Sequence, residues 1–273
     1  MAIVEKFFTA EESGLSREFM ANGYVIRPVD DPGALDELRD AVVTLACRHL
    51  GCDRPREAGA FLDMIHERVS PEKLNELRLA VFRGMNELSW LRPTYYALGR
   101  SLLTTLVGNE LAMQNRVNLS VQMSHDDSSL LDLHADVYGG ETPFQVVQWL
   151  PLVDVYDTKS MFILPHPKTA AVSASLKDLG EGGMSALYER VRGDLVWLAV
   201  PYGHVLIFAS HCLHGNTINA TTTTRWSLNC RFTGLFTPYT SYEKKLGSFY
   251  LPITTRAASR IGMNYEQPSG FEE

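Results

Sequence analysis

The chain carries a His-x-Asp pair, His134 and Asp136, and a further histidine downstream, His214. In an extended chain, residues two apart point to the same face, so His134 and Asp136 can reach one ion together. A histidine from a neighbouring strand would complete a set of two imidazoles and one carboxylate. That set leaves three coordination positions open, as a mononuclear non-haem Fe(II) oxygenase requires. These three residues are therefore the candidate metal ligands and catalytic residues.

An arginine and a serine follow on what should be the next strand. Arg225 lies eleven residues after His214, and Ser227 lies two residues further on. The planar fork of a guanidinium binds a carboxylate through two hydrogen bonds. Ser227 shares the face of Arg225 on an extended strand and can add a hydroxyl donor. We expect the two residues to bind the far carboxylate of a dicarboxylic co-substrate.

A second His-x-Asp pattern begins at His125 and competes with the first. It lies in the stretch HDDSS, whose composition is typical of a solvated loop. His134 has the apolar neighbours Leu131, Leu133 and Val137 instead, as a ligand on a buried strand should have. We prefer His134, and the sequence leaves His125 open as the alternative.

The downstream ligand also has a competitor, His211. It lies three residues before His214 and would point to a different face of a strand, which fits a core or supporting residue. Only His214 has the spacing to Arg225 described above. Arg225 alone would most often be a surface or ion-pair arginine, and its interpretation depends on the three candidate ligands.

The pattern resembles the phytanoyl-CoA dioxygenase-like branch of the Fe(II)/2-oxoglutarate oxygenases, over most of the chain. The His-x-Asp pair, the distal histidine and the arginine match, FMANGYVI (19–26) resembles the opening helix-to-strand signature, and FILPHPK (162–168) resembles a degraded PGSH stretch. The resemblance implies an enzyme that uses Fe(II), 2-oxoglutarate and O2, with the three candidate ligands on iron and Arg225 on the co-substrate.

The same resemblance implies roles for further residues. An aromatic residue after the His-x-Asp strand contacts the co-substrate in that family, and Trp149 is similarly placed, although core packing would explain it equally well. Gln122, on the strand before the pair, is a further candidate to face the site. Related halogenating enzymes have a small residue where this chain has Asp136, which argues against halogenation.

The stretch HADVYGGETPFQVVQWLPLVDVYDTKSMFILP (134–165) resembles a narrower group, the oxygenases found with carbohydrate-tailoring genes. These include enzymes that form orthoesters in antibiotics such as hygromycin or everninomicin. The resemblance implies hydroxylation or oxidative cyclisation of a small molecule that contains a sugar or an aminocyclitol. Two other functions stay open: a cupin-type metal-dependent isomerase, and a non-catalytic sugar-binding jelly roll.

The elements that must position these residues are helices first and strands afterwards. Apolar spacing predicts helices over 10–22, 32–50, 71–88 and 95–107, and a short strand over 24–29. Runs rich in β-branched and aromatic residues then predict strands over 116–123, 144–152, 161–164, 194–200, 205–209 and 225–236. Most of these runs are too close together for crossover helices, which favours antiparallel pairing. We predict a mainly β fold with a helical N-terminal third: a double-stranded β-helix (a cupin-like jelly roll) buttressed by α-helices.

The absence of repeats and Pro/Gly-rich linkers predicts one oxygenase domain over 1–273. Within it we expect a helical support region (1–110), a jelly-roll core (111–238) with a helical insert near 172–192, and a C-terminal tail (239–273). The tail is a candidate lid, surface packing element or dimer arm, so a homodimer is allowed.

Composition limits the partners. The formal net charge of −7 argues against a nucleic-acid partner, whose phosphates need a basic surface, and leaves room for a neutral or cationic small molecule. No apolar run is long enough for a membrane helix, and the acidic start is unlike a signal peptide. The four cysteines form no CxxC pair. We therefore predict a cytoplasmic protein with reduced thiols and no membrane partner.

Overall fold

A computed structural model describes residues 7–174, 176, 183–239 and 243–270. The helices in these ranges are α1 (Ala10–Asn22), α2 (Pro32–Leu50), α3 (Ala58–Asp63), α4 (Pro71–Asn86), α5 (Leu91–Ala97), α6 (Arg100–Leu106), α7 (His166–Ser173), α8 (Gly183–Val191) and α9 (Ala257–Met263). The strands are β1 (Tyr24–Pro28), β2 (Leu111–Gln114), β3 (Asn118–Gln122), β4 (Val146–Pro151), β5 (Phe162–Ile163), β6 (Val196–Trp197), β7 (His204–Ala209), β8 (His214–Gly215), β9 (Arg225–Gly234) and β10 (Tyr250–Pro252).

Local signals set the bounds of the first helices. A capping box between Thr9 and Glu12 begins α1, and Gly23 ends it with a left-handed φ of 80°. A Cβ atom at Gly23 would also overlap the sulfur of Cys212, so the glycine serves both the cap and the packing. The Asp31 carboxylate accepts a hydrogen bond from the first turn of α2.

One helix differs from its prediction. The single helix expected over 95–107 is two helices, α5 and α6, with Gly99 between them. A Cβ atom at Gly99 would overlap the side-chain oxygen of Gln148 on β4, so the backbone has to approach the sheet closely there. The short helices α3 and α9 were not predicted.

Two antiparallel sheets form the rest of the fold. The larger has the strand order β1-β7-β4-β9-β2-β10, and β3 pairs with β9 as well. Strands β2 and β3 pair with successive halves of β9, which is ten residues long, and β4 pairs with its other edge. The smaller sheet has the order β6-β5-β8. This arrangement confirms the predicted jelly roll and makes β9 the central strand of the site.

The helical N-terminal third packs on the larger sheet, and its buried apolar residues share one core with the strands. Side-chain hydrogen bonds also join these layers, and two of them involve the strands of the site. The Trp226 indole N–H on β9 donates to the carbonyl of Leu62 on α3 (2.9 Å), and the Tyr95 hydroxyl on α5 donates to the carbonyl of Gln148 (2.8 Å). The helices therefore support the strand that carries Arg225.

The region predicted as a helical insert contains α7, which already begins at His166, and α8; residues 175 and 177–182 lie outside the described residues. The region predicted as a tail contributes β10 to the larger sheet, beside β2, and Tyr250 is fully buried there. Among the described residues, no helix is both long and apolar enough to cross a membrane.

Candidate active site

The three candidate metal ligands line one cavity of about 100 Å³. One ring nitrogen each from His134 and His214 and one oxygen of Asp136 all lie within 4.8 Å of one another. The Nε2 atom of His134 is 4.0 Å from Oδ1 of Asp136, and the two imidazole ring centres are 4.4 Å apart. These separations allow a single ion to contact all three residues.

The local structure at the His-x-Asp pair is not a regular strand. His134 forms an isolated antiparallel bridge with His214, Ala135 is extended (φ −121°, ψ 139°), and a 3-10 turn begins at Asp136. The expected extended geometry therefore holds only over 134–136, which is enough to bring both side chains to one side. The expectation of an apolar buried flank is wrong at Leu131, whose side chain is 55% exposed because it lies in a loop.

Backbone contacts leave the same nitrogen of each imidazole available. The Nδ1 atom of His134 is 2.6 Å from the carbonyl oxygen of Asp132, and the Nδ1 atom of His214 is 2.9 Å from that of Cys212. A carbonyl oxygen only accepts hydrogen bonds, so each Nδ1 carries the proton. Each Nε2 then presents its lone pair, as in histidines that bind metals.

The electrostatics favour the protonation states that metal ligation needs. Burial lowers the pKa of His214 to about 4, which keeps its imidazole neutral at physiological pH. Burial alone would raise the pKa of Asp136, but the positive charge of Arg231 and its hydrogen bonds to the carboxylate act in the opposite direction, and the pKa lies below its usual value. Metals bind neutral imidazole and ionised carboxylate, so both residues are ready for ligation.

Arg225 lines the same cavity and is almost fully buried, with 3% exposure. Its Nη1 atom donates to the Ser160 carbonyl (3.2 Å) and its Nη2 atom to the Ser120 hydroxyl (3.3 Å). No described residue forms an ion pair with it, and burial lowers its pKa to about 10. A buried cation with only neutral partners is costly, and an anionic ligand would offset that cost.

Several polar atoms beside Arg225 are buried without a hydrogen-bond partner among the described residues. They are Nε of Arg225 itself, the hydroxyls of Ser160 and Ser227, and the side-chain oxygen of Gln122. Gln122 lies directly opposite Arg225 in the β3–β9 register, and its amide donates to the Thr217 carbonyl (2.6 Å). The Arg225 N–H and the two hydroxyls are donors, and unpaired donors in the core fit a carboxylate acceptor, whereas the Gln122 oxygen can only accept. Neither Gln122 nor Ser227 is among the residues that line the cavity.

Apolar side chains form another wall of the cavity. Trp149 lies on β4 opposite Asn229 of β9, and it lines the cavity together with Met161 and Phe208. The Phe208 ring packs edge-on against His214, with ring centres 4.8 Å apart. Trp149 is therefore part of the core and part of the cavity wall at once.

The two competing histidines lie elsewhere. His125 is in an exposed turn with a left-handed φ of 56° and belongs to no group of candidate ligands among the described residues. His211 contacts His166 (Nε2 to Nδ1, 2.8 Å) and lies with Cys212 in a separate group. The structure thus brings His134 and His214 together, rather than either alternative.

Sequence reasoning missed Arg231, which also lines the cavity. It is on β9 at the same face as Arg225, and it forms an ion pair with Asp136, with Nη2 2.9 Å from Oδ1. The alternation that pointed from Arg225 to Ser227 extends to residues 229 and 231, so the strand pattern contained the signal.

A polar groove adjoins the cavity. It has a volume of about 530 Å³ and shares five residues with the cavity: Ser120, Leu131, His134, Asn229 and Arg231. Its other polar lining includes Asn75, Arg78 and Asn118, and no carboxylate is among the described residues that line it. Of the three candidate metal ligands, His134 lines this groove as well as the cavity.

No protein-family profile and no curated protein sequence matches the chain. Its structure is similar to that of the non-heme monooxygenase ThoJ in its apo form (TM-score 0.56, 14% identity, 89% of this chain and 84% of that chain). It is also similar to apo EctD from S. alaskensis (TM-score 0.54, 14% identity, 86% and 84%). A third similar structure is HygX from Streptomyces hygroscopicus with nickel, 2-oxoglutarate and hygromycin B bound (TM-score 0.51, 16% identity, 85% and 90%). At these identities the likeness shows the fold, and the chain shares the jelly-roll fold of these proteins.

Proposed function

We propose that this protein is a mononuclear non-haem Fe(II) oxygenase that couples oxidative decarboxylation of 2-oxoglutarate to oxidation of a C–H bond in a small molecule. One observation carries the proposal. His134, Asp136 and His214 converge on a cavity that is also lined by Arg225, a buried cation with no counter-ion among the described residues. A dicarboxylate that chelates a metal at one end and needs a cation at the other matches both features.

The protein's own residues supply the binding geometry. His134 and His214 would hold iron through Nε2 and Asp136 through one carboxylate oxygen, which leaves three coordination positions for other ligands. When bound, Fe(II) together with 2-oxoglutarate and O2 supplies the oxidising power, and the co-substrate leaves as succinate and CO2.

Arg225 and its neighbours would fix the orientation of the co-substrate. Its Nε–H points to no described acceptor, and the Ser227 hydroxyl on the same strand face is unpaired as well. The Arg225 N–H would donate to the far carboxylate from the cavity wall, and the Ser227 hydroxyl would donate from behind that wall, because Ser227 does not line the cavity. Gln122 lies opposite Arg225, with its amide group already donating to the Thr217 carbonyl. Trp149 and Met161 form an apolar wall of the cavity, which would keep water from that side of the co-substrate.

The fold agrees with this chemistry. ThoJ is a non-heme monooxygenase, and the HygX structure contains nickel and 2-oxoglutarate. The donor set of the present chain, two imidazoles and one carboxylate, is the set that non-haem Fe(II) oxygenases use. The fold and the residues therefore point to the same reaction class.

The substrate we propose is a small molecule that contains a sugar or an aminocyclitol. The groove beside the cavity is lined by the amide side chains of Asn75, Asn118 and Asn229, which donate and accept hydrogen bonds as hydroxyl groups require. It also contains the cations Arg78 and Arg231 and no carboxylate among its described lining, so it fits the hydroxyl groups of the substrate rather than an ammonium group. The resemblance of 134–165 to carbohydrate-tailoring oxygenases and the hygromycin B bound to HygX support the same class. The reaction would end in hydroxylation or in oxidative cyclisation to an orthoester.

The first test is whether the chain uses the proposed co-substrate. Purified protein would be loaded with Fe(II) and 2-oxoglutarate under anaerobic conditions, and succinate would be measured after O2 is admitted. We expect Fe(II)-dependent succinate formation in the wild type and none in Asp136→Ala. A chain that binds metal and a sugar but never converts 2-oxoglutarate would instead be a cupin-type isomerase or a sugar-binding jelly roll.

The second test identifies the substrate class. A panel of sugars and aminocyclitol glycosides would be screened for compounds that accelerate 2-oxoglutarate consumption. Product mass then separates the outcomes, because hydroxylation adds one oxygen atom whereas ring closure removes two hydrogen atoms. If only sugar-free compounds accelerated consumption, the saccharide assignment would be rejected and the oxygenase assignment would stand.

A further inference from the structure

Arg231 donates two hydrogen bonds from its guanidinium group to the carboxylate of Asp136. Its Nη2 atom lies 2.9 Å from Oδ1 and its Nε atom 3.2 Å from Oδ2. We propose that Arg231 is a positioning residue for the metal centre, which fixes Asp136 so that it offers the metal a single oxygen. The inference rests on the proposed function, because it assigns Asp136 to the metal.

The geometry explains why one oxygen is offered. Oδ1 of Asp136 is the oxygen that faces His134, at 4.0 Å from Nε2. A carboxylate oxygen accepts two hydrogen bonds or ligand contacts, so Oδ1 can keep Arg231 and still reach a metal. The hydrogen bond from Nε of Arg231 engages Oδ2, so that this second oxygen would not also bind the metal. A carboxylate that bound through both oxygens would occupy one of the positions that the co-substrate and O2 need.

Arg231 is itself held from behind by Glu141, whose exposure is only 3%. The Oε1 atom of Glu141 lies 3.4 Å from Nε of Arg231 and accepts a 2.6 Å hydrogen bond from Lys244. Its Oε2 atom accepts a 3.2 Å hydrogen bond from the Tyr250 hydroxyl. The carboxylates of Asp136 and Glu141 and the cations of Arg231 and Lys244 have a formal net charge of zero before a metal binds.

This network gives the C-terminal region a function. Tyr250 lies on β10, and Lys244 lies in the segment that leads to that strand. Both contact Glu141, which contacts Arg231, which contacts Asp136. The part of the chain after residue 239 therefore contributes to the order of the metal centre, although none of its described residues lines the cavity.

The test measures metal binding and coordination without turnover. Co(II) would be titrated into metal-free wild type, Arg231→Gln, Arg231→Lys and Glu141→Gln under anaerobic conditions, and its absorption spectrum recorded. We expect a dissociation constant roughly 10- to 100-fold higher in Arg231→Gln, together with a changed spectrum. Arg231→Lys keeps the positive charge but loses the planar guanidinium. Its affinity for Co(II) should therefore lie between those of Arg231→Gln and the wild type, whereas its absorption spectrum should still differ from that of the wild type. Glu141→Gln should weaken binding less.

The matched control is Arg83→Gln, which removes an arginine from the exposed surface of α4 and should leave affinity and spectrum unchanged. A purely structural effect would lower the melting temperature of the Arg231 variants without altering the Co(II) spectrum, and that result would overturn the proposal. If Arg231→Gln fails to fold, the spectra of Arg231→Lys and Glu141→Gln decide, and wild-type spectra in both would also overturn it.

The two proposals fail differently. If the wild type binds Co(II) and the variants change its spectrum, but no 2-oxoglutarate is ever converted, the proposed function is wrong and the positioning role stands. If the wild type converts 2-oxoglutarate and Arg231→Gln binds metal like the wild type, the positioning role is wrong and the function stands.

Discussion

His134 and His214 are joined to each other through their backbones. The His134 N–H donates to the His214 carbonyl (2.9 Å), and the His214 N–H donates to the His134 carbonyl (2.8 Å). In an antiparallel pair, directly opposed residues place their side chains on the same side of the sheet. Two candidate ligands that are eighty residues apart in the chain are thus set side by side by main-chain hydrogen bonds.

Gly215 makes that close pairing sterically possible. A Cβ atom there would lie 2.7 Å from the Leu131 carbonyl oxygen and 3.1 Å from that of Asp132. Both are backbone atoms of the segment that carries His134, so they cannot give way by a rotamer change. We expect Gly215→Ala to separate the two histidines and raise the dissociation constant for Co(II) at least tenfold, as measured by titration.

The control for this variant is Gly262→Ala on α9, where a Cβ atom would meet nothing within 4 Å. Alanine is the better helix former, so that variant should keep its metal affinity and melt at the same or a higher temperature. Unchanged metal affinity in Gly215→Ala would show that the pairing tolerates the extra atom.

The choice between the two His-x-Asp patterns can be tested directly. His134→Ala should abolish Fe(II)-dependent succinate formation, because it removes one of the three candidate ligands. His125→Ala changes an exposed turn residue and should keep the wild-type rate. Loss of activity in the second variant with retention in the first would reverse the assignment.

The sequence predicted the first two helices and the main strands because their signals are local. Asp31 and Gly51 delimit α2, and the alternation of polar and apolar residues marks β9. The strands β2, β8 and β10 were missed because two to four residues carry too little periodicity to be recognised. They form by pairing with β9, β5 and β2, respectively, and no local pattern encodes that pairing.

The site divides in the same way. That His134 and Asp136 face the same side could be predicted from their spacing, because residues two apart in an extended segment point to the same side. That Arg225 lies near them could be predicted from its distance of eleven residues to His214 and from the family resemblance. The pair of Arg231 with Asp136 could not, since it joins residues from distant parts of the chain. Only the folded protein shows that Glu141 lies behind that pair.

Arg225 should control co-substrate affinity more than protein stability. Arg225→Gln removes the charged, two-pronged hydrogen-bond donor, so the KM for 2-oxoglutarate should rise roughly 100-fold. The KM of Arg225→Lys should lie between that of Arg225→Gln and that of the wild type. Because the arginine is a buried cation without an ion-pair partner among the described residues, the ligand-free glutamine variant should unfold at the same or a higher temperature.

The check is a thermal unfolding series at increasing 2-oxoglutarate in the presence of Co(II). Ligand that binds only the folded state raises the melting temperature, so the wild type should shift upward with concentration. Arg225→Gln should need far more ligand for the same shift. An equal shift in both proteins would remove Arg225 from the co-substrate site.

Metal-free protein should lose stability below neutral pH through His214. Burial lowers the pKa of this imidazole from 6.5 to about 4 in the folded chain, whereas the unfolded chain keeps the higher value. Between these values the unfolded state binds more protons, so the free energy of unfolding falls as the pH is lowered through this window. The single shift corresponds to about 2 kcal/mol between pH 7 and pH 5.

Urea unfolding in the presence of a chelator measures this loss, with His214→Gln as the comparison. Asp136 does not interfere, because its pKa is lowered below 3.8 and its contribution is lost only at more acidic pH. Burial also lowers the pKa of His211, so part of the slope should remain in the variant. A variant that lost as much stability as the wild type between pH 7 and pH 5 would show that His214 is not the residue responsible.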